Sequence, residues 1–382
     1  MAIARPVTTP TPLPTLIQTA DGCALELRHH PGPGKPVLLV HGASAQSGTF
    51  RIGETDTLVG HLLGAAERFD VWTLDWRASM LRVRDIYCQN RSTDFSIDAA
   101  ARNDIPAAIT VMRRQGVTGK IGVLGHCMGG AIVTQGIVEG VLPAADVENV
   151  VITALGLFYR AAIDNVVKAE DGVLEELLFD HHQDLLHPTK QWTTTVCQQD
   201  PDDGDWDPLL QKPYDIWKQT PLPHNPCTVP ICPRVSYMFG MPYIPANIPK
   251  IHATSLALQF GYIPVQFLLH CCQNLRRGYA APYMPRDRRG RSLTKQDVLL
   301  KREAFRDRKL TLITGDLNSL WHRDSIDTMY EWLLRGRKSD RPPVVKHVLP
   351  GYGHQDLHWG TGAPVDVFPK IVKGLQGILD PA

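Results

Sequence analysis

Several things are scarce in this 382-residue chain, and each scarcity removes a class of protein. There is no charge imbalance: 40 Lys and Arg face 39 Asp and Glu, a formal net charge of +1. No global field therefore draws the chain to nucleic acid or to an anionic membrane. Long apolar runs are missing too. The richest, 256–272, is interrupted by Gln259, Pro264, Gln266 and His270, and is shorter than a usual bilayer span, so it reads as a helix lining a pocket with no membrane contact indicated. The N-terminus lacks the apolar core of a secretory leader. The eight cysteines (Cys23, Cys88, Cys127, Cys197, Cys227, Cys232, Cys271 and Cys272) are scattered, without the dense framework of small secreted domains. A reducing, cytoplasmic setting is the simpler expectation. No G-x-G-x-x-G opens a helix after a strand, and Gly34-Lys35 runs into Pro36 where a Walker loop would need Ser or Thr. No nucleotide cofactor is indicated, and no metal is expected. Asp180-His181-His182 and His187 lack zinc-finger spacing, and the acidic stretch 200–207 has its glycine misplaced for an EF-hand. Cys227 and Cys232 have no second pair and read as core packing or a pocket wall.

What is present is an alternation of apolar strands and amphipathic helices. Asp21-Gly22 separates two short strand patterns, a hairpin signal. Pro36-Val37-Leu38-Leu39-Val40 is continuously apolar, as a strand buried on both faces must be, and ends in His41-Gly42-Ala43-Ser44. Further strands are expected at 69–74, 121–124, 149–155, 309–314 and 344–349. Helices are expected around Leu58, over 96–114 with Ser96 as N-cap, over 325–334 and over 368–379. The spacing predicts an α/β fold with a mostly parallel central sheet flanked by helices. Residues 1–15 read as a flexible segment, 16–157 and 309–382 as the core, and 158–308 as a cap inserted into it.

The chemistry centres on Gly125-His126-Cys127-Met128-Gly129-Gly130, between the run ending at Leu124 and a helical pattern starting near Ala131. This is the context of a nucleophile elbow, in which glycines flank a residue on a strained strand-to-helix turn. Cys127 takes the nucleophile position. A thiol at a helix N-terminus feels the positive end of the dipole, so the expectation is a lowered pKa. His354, in Pro350-Gly351-Tyr352-Gly353-His354 after the last strand, is the candidate base. The loop Gly315-Asp316-Leu317-Asn318 puts Asn318 three residues after the glycine, where an orienting acid is usual; an asparagine can orient the imidazole of a Cys–His pair. Asp316 would supply a carboxylate if the loop bends differently, and Asp356 is a further option. The backbone N–H groups of Met128 and Ala43 are the candidate oxyanion hole, where losing one donor typically raises a barrier by about 2.7–4 kcal/mol. His41, His126, His252 and Phe260 are candidate pocket residues, with a structural role for His252 equally open. Arg286, Arg288, Arg289 and Arg291 would suit the phosphates of an acyl carrier such as coenzyme A, or form a charged surface.

Together these motifs identify the chain as similar to the α/β-hydrolase superfamily. More narrowly it resembles the α/β-hydrolase-like proteins that occur alone or fused to glucose-methanol-choline (cholesterol-oxidase type) oxidoreductases. The resemblance is carried by Asp75-Trp76-Arg77-Ala78-Ser79, Phe95-Ser96-Ile97-Asp98, Gly125-His126-Cys127-Met128-Gly129, Asn318, Pro350-Gly351-Tyr352-Gly353-His354 and Asp366-Val367-Phe368-Pro369, with Cys227, Cys232, Arg234, His252 and Phe260-Gly261 in the cap. It implies acyl-group chemistry in a capped pocket. The G-x-C-x-G box is also similar to those of dienelactone hydrolases and polyhydroxyalkanoate synthases, which implies an acyl-cysteine. The leading expectation is thus a cysteine-dependent hydrolase of esters, lactones or thioesters with an apolar part. A small-molecule acyl substrate or acyl-carrier thioester is the expected partner. The alternatives are an acyltransferase or cyclase on the same thiol, and a ligand-binding module that has lost turnover.

Overall fold

The computed structural model describes residues 12–66, 68–79, 95–170, 193–195, 215, 218–219, 227, 229, 231–260, 262–283, 298–335 and 342–379. Asp180, His181, His182, His187, the acidic stretch 200–207 and Arg286, Arg288, Arg289 and Arg291 lie outside these residues.

Eight strands form one sheet: β1 (Thr15–Gln18), β2 (Ala24–His30), β3 (Pro36–Val40), β4 (Asp70–Asp75), β5 (Ile121–His126), β6 (Val147–Thr153), β9 (Lys309–Gly315) and β10 (Val344–Leu349), in the order β1-β2-β4-β3-β5-β6-β9-β10. The first hairpin and the β2–β4 pair are antiparallel, and every other pairing in the sheet is parallel. Two core layers follow from the period of two. Leu38 and Val40 of β3 join one layer with Val123, Val150 and Ile152; Val37 and Leu39 join the other with Leu124, Val151 and Ile313.

Helices cover both faces. α1 (Leu58–Gly64) is capped by Thr57, whose hydroxyl accepts the Gly60 N–H. α2 (Ile97–Arg114) is capped by Ser96, whose hydroxyl accepts the Ala99 N–H, and it buries Ile97, Ala101, Ile105, Ala108 and Met112 on one stripe. α3 (Met128–Glu139) leaves β5 directly. Its residues from Met128 to Val138 are all buried, so it runs through the centre of the layer and not along its surface.

Between β6 and β9 the chain leaves the sheet. Described there are α4 (Ile163–Glu170), β7 (Thr193–Thr195), α5 (Ile231–Phe239), α6 (Pro249–Thr254), β8 (Tyr262–Pro264) and α7 (Val265–Arg277), with β7 and β8 antiparallel. The run 256–272 is not the single helix expected from its composition. A 3₁₀ turn at Leu256–Gln259 gives way to β8, and α7 begins only after Pro264, which has no amide hydrogen to continue a helix through it. After β9 come α8 (Asp324–Leu334), α9 (Asp356–Trp359), α10 (Ala363–Asp366) and α11 (Phe368–Gln376). Among the described residues no helix is long and apolar enough to cross a membrane.

Candidate active site

The carboxyl ends of β3, β5, β9 and β10 deliver four loops to one place, as parallel topology dictates. At the centre is Cys127, with φ 54° and ψ −127°, a conformation that costs a non-glycine residue of order 1–3 kcal/mol. The surroundings enforce it. The Cys127 N–H donates to Thr153 O (2.9 Å), and its carbonyl accepts the Ala131 N–H (3.1 Å) as the first bond of α3. Only glycine fits beside it: a Cβ on Gly129 would lie 2.2 Å from Val40 O, and one on Gly130 would lie 2.2 Å from Leu155 O.

The β3 loop passes in front of the sulfur. A Cβ on Gly42 would meet Cys127 Cβ at 3.0 Å. This loop is pinned from behind by the Asp75-Trp76-Arg77 turn. The Trp76 indole donates to His41 O (2.9 Å), and Asp75 accepts from the Ser47 N–H (2.6 Å), the Ser47 hydroxyl (2.5 Å) and the Ser79 hydroxyl (3.0 Å). Arg77 anchors the turn by binding Asp104 of α2 (Nε to Oδ1, 2.8 Å) and Asp21 of the first hairpin (Nη1 to Oδ2, 2.8 Å). The Ala43 N–H is thereby fixed near the thiol.

Burial pushes the Cys127 thiol up to about 12, against the pull of the Met128 N–H, the Trp321 indole and the Ala43 N–H, all of which favour its anion. This reverses the expectation of a lowered pKa. The helix terminus does act in the predicted direction, but desolvation outweighs it.

His354 lies in the loop after β10. Its Nδ1 is 3.1 Å from Asn318 Oδ1. The same oxygen accepts the Trp321 N–H (3.3 Å), which identifies it as the acceptor of the amide. His354 Nδ1 therefore carries the hydrogen and Nε2 the lone pair. The two loops are zipped together: Asp316 N–H donates to Leu349 O (3.0 Å), Leu317 N–H to Tyr352 O (2.9 Å), and Gly351 N–H to Asp316 Oδ1 (2.7 Å). Asp316 is thus exposed and caps the neighbouring loop, while Asn318 is the residue turned onto the imidazole. Asp356 accepts from the Gly353 N–H (2.8 Å) and Asn247 (2.7 Å), shaping the loop without touching the ring. Burial and the adjacent His126 imidazole hold His354 well below the ordinary histidine range, so it is neutral at pH 7.

Cys127, Met128, Ala43 and His354 line one cavity with Phe260, whose empty space, solvent at its mouth included, is about 830 Å³. No hydrogen bond joins Cys127 to His354 among the described contacts. The wall is apolar, through Met238, Phe239, Phe267, Leu268, Leu275 and Leu320. Lys168 puts an amine on it, lowered to about 8 by burial with Asp164 opposing, and donating to Tyr237 O (2.6 Å).

Three expected pocket residues are elsewhere. His41 points back, its Nδ1 2.6 Å from Gly42 O and its Nε2 3.5 Å from Asp75. His126 is beneath the elbow, between Thr153 Oγ1 (2.9 Å) and Gln355 Oε1 (2.6 Å), because neighbouring strand residues face opposite ways. His252 faces Cys227 and Cys232. Two residues were missed. Trp321 is held by a β-bridge to Ala161, and its buried Nε1 faces Cys127 and has no other partner among the described residues. Gln355 fixes His126 and sits on the cavity wall. Neither carries a local signal beyond proximity to Asn318 and His354 in sequence.

A family model described as "Alpha/beta hydrolase family" matches residues 37–368. The chain belongs to this alpha/beta hydrolase family. Among solved structures, this alpha/beta hydrolase is similar to a lipase in an open form (14% identity, 96% of this chain and 98% of that chain, TM-score 0.59). It is also similar to a thermostable carboxyl esterase from Bacillus coagulans in complex with glycerol (14%, 97% and 99%, TM-score 0.56). A third likeness is to Paleococcus ferrophilus monoacylglycerol lipase (15%, 92% and 99%, TM-score 0.50). At such identities the likeness is one of fold. No curated protein matches the chain.

Proposed function

We propose that this alpha/beta hydrolase is a cysteine-dependent acyl hydrolase acting on an ester, lactone or thioester with a substantial apolar part. The observation that carries the reading is Cys127 on a strained elbow, facing a cavity it shares with His354 and with the N–H groups of Met128 and Ala43. The esterase and lipase titles among the fold neighbours favour an ester bond, and the apolar wall favours a hydrocarbon substituent. Residues 158–308 act as the cap.

Cys127 Sγ attacks the carbonyl carbon as its proton passes to His354 Nε2. Both groups are neutral at rest, so proton transfer accompanies attack, as it does for a serine nucleophile, and no thiolate–imidazolium pair precedes it. Asn318 fits this order: it holds the Nδ1 tautomer without an anion, which a neutral resting imidazole does not need. The N–H groups of Met128 and Ala43 hold the oxyanion. His354 then gives its proton to the leaving oxygen or sulfur as the C–O or C–S bond breaks, leaving an acyl-cysteine. Water, giving a proton to His354, attacks the thioester; the C–S bond breaks, the thiol recovers that proton, and the acid departs. Substrate binding brings Cys127 and His354 within proton-transfer reach.

The same low basicity of His354 favours a second reading, transfer of the acyl group to an amine, which attacks a thioester without first losing a proton, whereas water needs the base. Incubation with aryl esters and thioesters, followed by mass measurement of the peptide carrying Cys127, tests both. An acyl adduct that is released as free acid is the expected result; release only on adding an acceptor selects transfer, and no adduct with any ester sinks the covalent mechanism.

A further inference from the structure

Behind the cavity wall, three donors that the acyl chemistry does not use converge. Cys227 Sγ and Cys232 Sγ each lie 3.1 Å from His252 Nε2. The three atoms all fall within 4.8 Å of one another. Hydrogen bonding accounts poorly for this. An imidazole nitrogen carries either one hydrogen or one lone pair, aimed in the ring plane, and so makes one good bond where two sulfurs approach equally closely. A single cation at the centre uses a lone pair from each.

The surroundings of the sulfurs point the same way. The Tyr243 hydroxyl donates to Cys232 Sγ (3.2 Å) and the Val229 N–H to Cys227 Sγ (3.4 Å). Donors aimed at sulfur are what a metal thiolate's outer partners supply. The backbone is also suited to ligation. Cys232 sits in the first turn of α5, and His252 sits on α6, which Glu54 fixes by accepting the N–H groups of Lys250 (3.1 Å) and Ile251 (2.8 Å). Two thiolates and an imidazole exclude the hard cations and suit zinc.

We propose that Cys227, Cys232 and His252 supply three ligands of one tetrahedral zinc ion; among the described residues no further His, Cys, Asp or Glu joins them. Bond lengths of about 2.3 Å to sulfur and about 2.0 Å to nitrogen want an S···N edge of roughly 3.5 Å, so the ring and sulfurs move apart by a few tenths of an ångström on binding. The ion ties α5 to α6. Because α5 ends in Met238 and Phe239 on the cavity, and Tyr243 packs on Phe260 (ring centroids 6.3 Å), the site braces the wall from outside.

The full chain, purified under reducing conditions, is expected to hold about one zinc per molecule by elemental mass spectrometry. Cys232→Ser and His252→Ala should each lower that at least tenfold, and Cys23→Ser should not. Cobalt exchanged into the wild type should show thiolate-to-metal charge-transfer absorption that weakens in Cys227→Ser. The cobalt spectrum and zinc content of the wild type stand even if a variant fails to fold. Reduced, folded wild type that takes up neither zinc nor cobalt from a competing chelator overturns the proposal. So does equal uptake by folded His252→Ala, or a Cys227–Cys232 disulfide whose reduction leaves a protein that binds no metal.

Discussion

Two sets of cysteine and histidine occupy this chain, and they are built on opposite principles. Cys127 sits on a left-handed backbone with φ 54°, hemmed in by Gly42, Gly129 and Gly130, and its sulfur is met by backbone N–H groups and an indole. Cys232 and His252 sit on ordinary helices, and their atoms converge with Cys227 on one point. Strain around a single thiol, with donors placed where charge will develop, is the signature of a group that reacts. Convergent lone pairs on unstrained backbone are the signature of groups that ligate. The contrast predicts that the two sets fail differently when broken.

The largest expected effect is at Cys127. Replacing it with alanine should lower ester turnover by about 10⁴-fold or more and remove the acyl adduct, as loss of a nucleophile does elsewhere. Cys232→Ser should instead leave Cys127 open to acylation while lowering metal content and the thermal midpoint. A folded Cys232→Ser protein that cannot be acylated at Cys127 would collapse the distinction between the two sets.

Trp321→Phe comes next. It keeps an aromatic ring beside Tyr159 (5.2 Å from the indole) but removes the pyrrole half of the indole, and with it the N–H facing Cys127. A donor to developing charge, partly redundant with Met128 and Ala43, should cost about 10–100-fold in kcat with little change in KM. A change confined to KM would make Trp321 part of the pocket wall and nothing more.

The pH profile sharpens the comparison without mutation. In the proposed mechanism the reactive form has Cys127 protonated and His354 neutral. His354 loses its lone pair only when pH falls through a pKa held well below 6.5, and Cys127 ionises only near 12. Hence kcat/KM should be flat between about pH 6.5 and 9 and fall only on the acid side of that window. A bell centred near neutrality, with its limbs inside the window, would restore the preformed ion pair that burial argues against.

Much of this was legible in the sequence, for a physical reason in each case. Strands such as Pro36–Val40 carry their burial in an unbroken apolar run, and α2 carries its stripe and its Ser96 cap in the letters themselves. Glycines around Cys127 mark a turn that only they permit. The protonation state of Cys127 was not legible, because it is set by how completely the surrounding fold excludes water. The His252 contacts reach back 25 and 20 residues to Cys227 and Cys232 across turns that leave no periodic trace. His41 and His126 adjoin residues of the cavity in sequence, yet the alternation of strand and turn directs both rings away from it.

The smallest effect separates the two candidates in the loop after β9. Asn318 Oδ1 fixes the tautomer of His354 and is buried; Asp316 is exposed, and its carboxylate accepts the Gly351 N–H. Asn318→Ala should lower kcat about tenfold, because the Nδ1–H then has no acceptor and the ring loses its orientation. Asp316→Ala should stay within about twofold, since a surface loop bond contributes roughly 0.5–1.5 kcal/mol to stability and touches no reacting atom. Asn318→Asp distinguishes orientation from charge. A carboxylate at Oδ1 favours the imidazolium, so it should raise the pKa of His354 and move the acid limb of the profile towards neutrality, while keeping most of kcat. An acid limb that stays in place in Asn318→Asp would mean that the amide does not hold the ring in the reacting enzyme, and the orienting role would then pass to another residue.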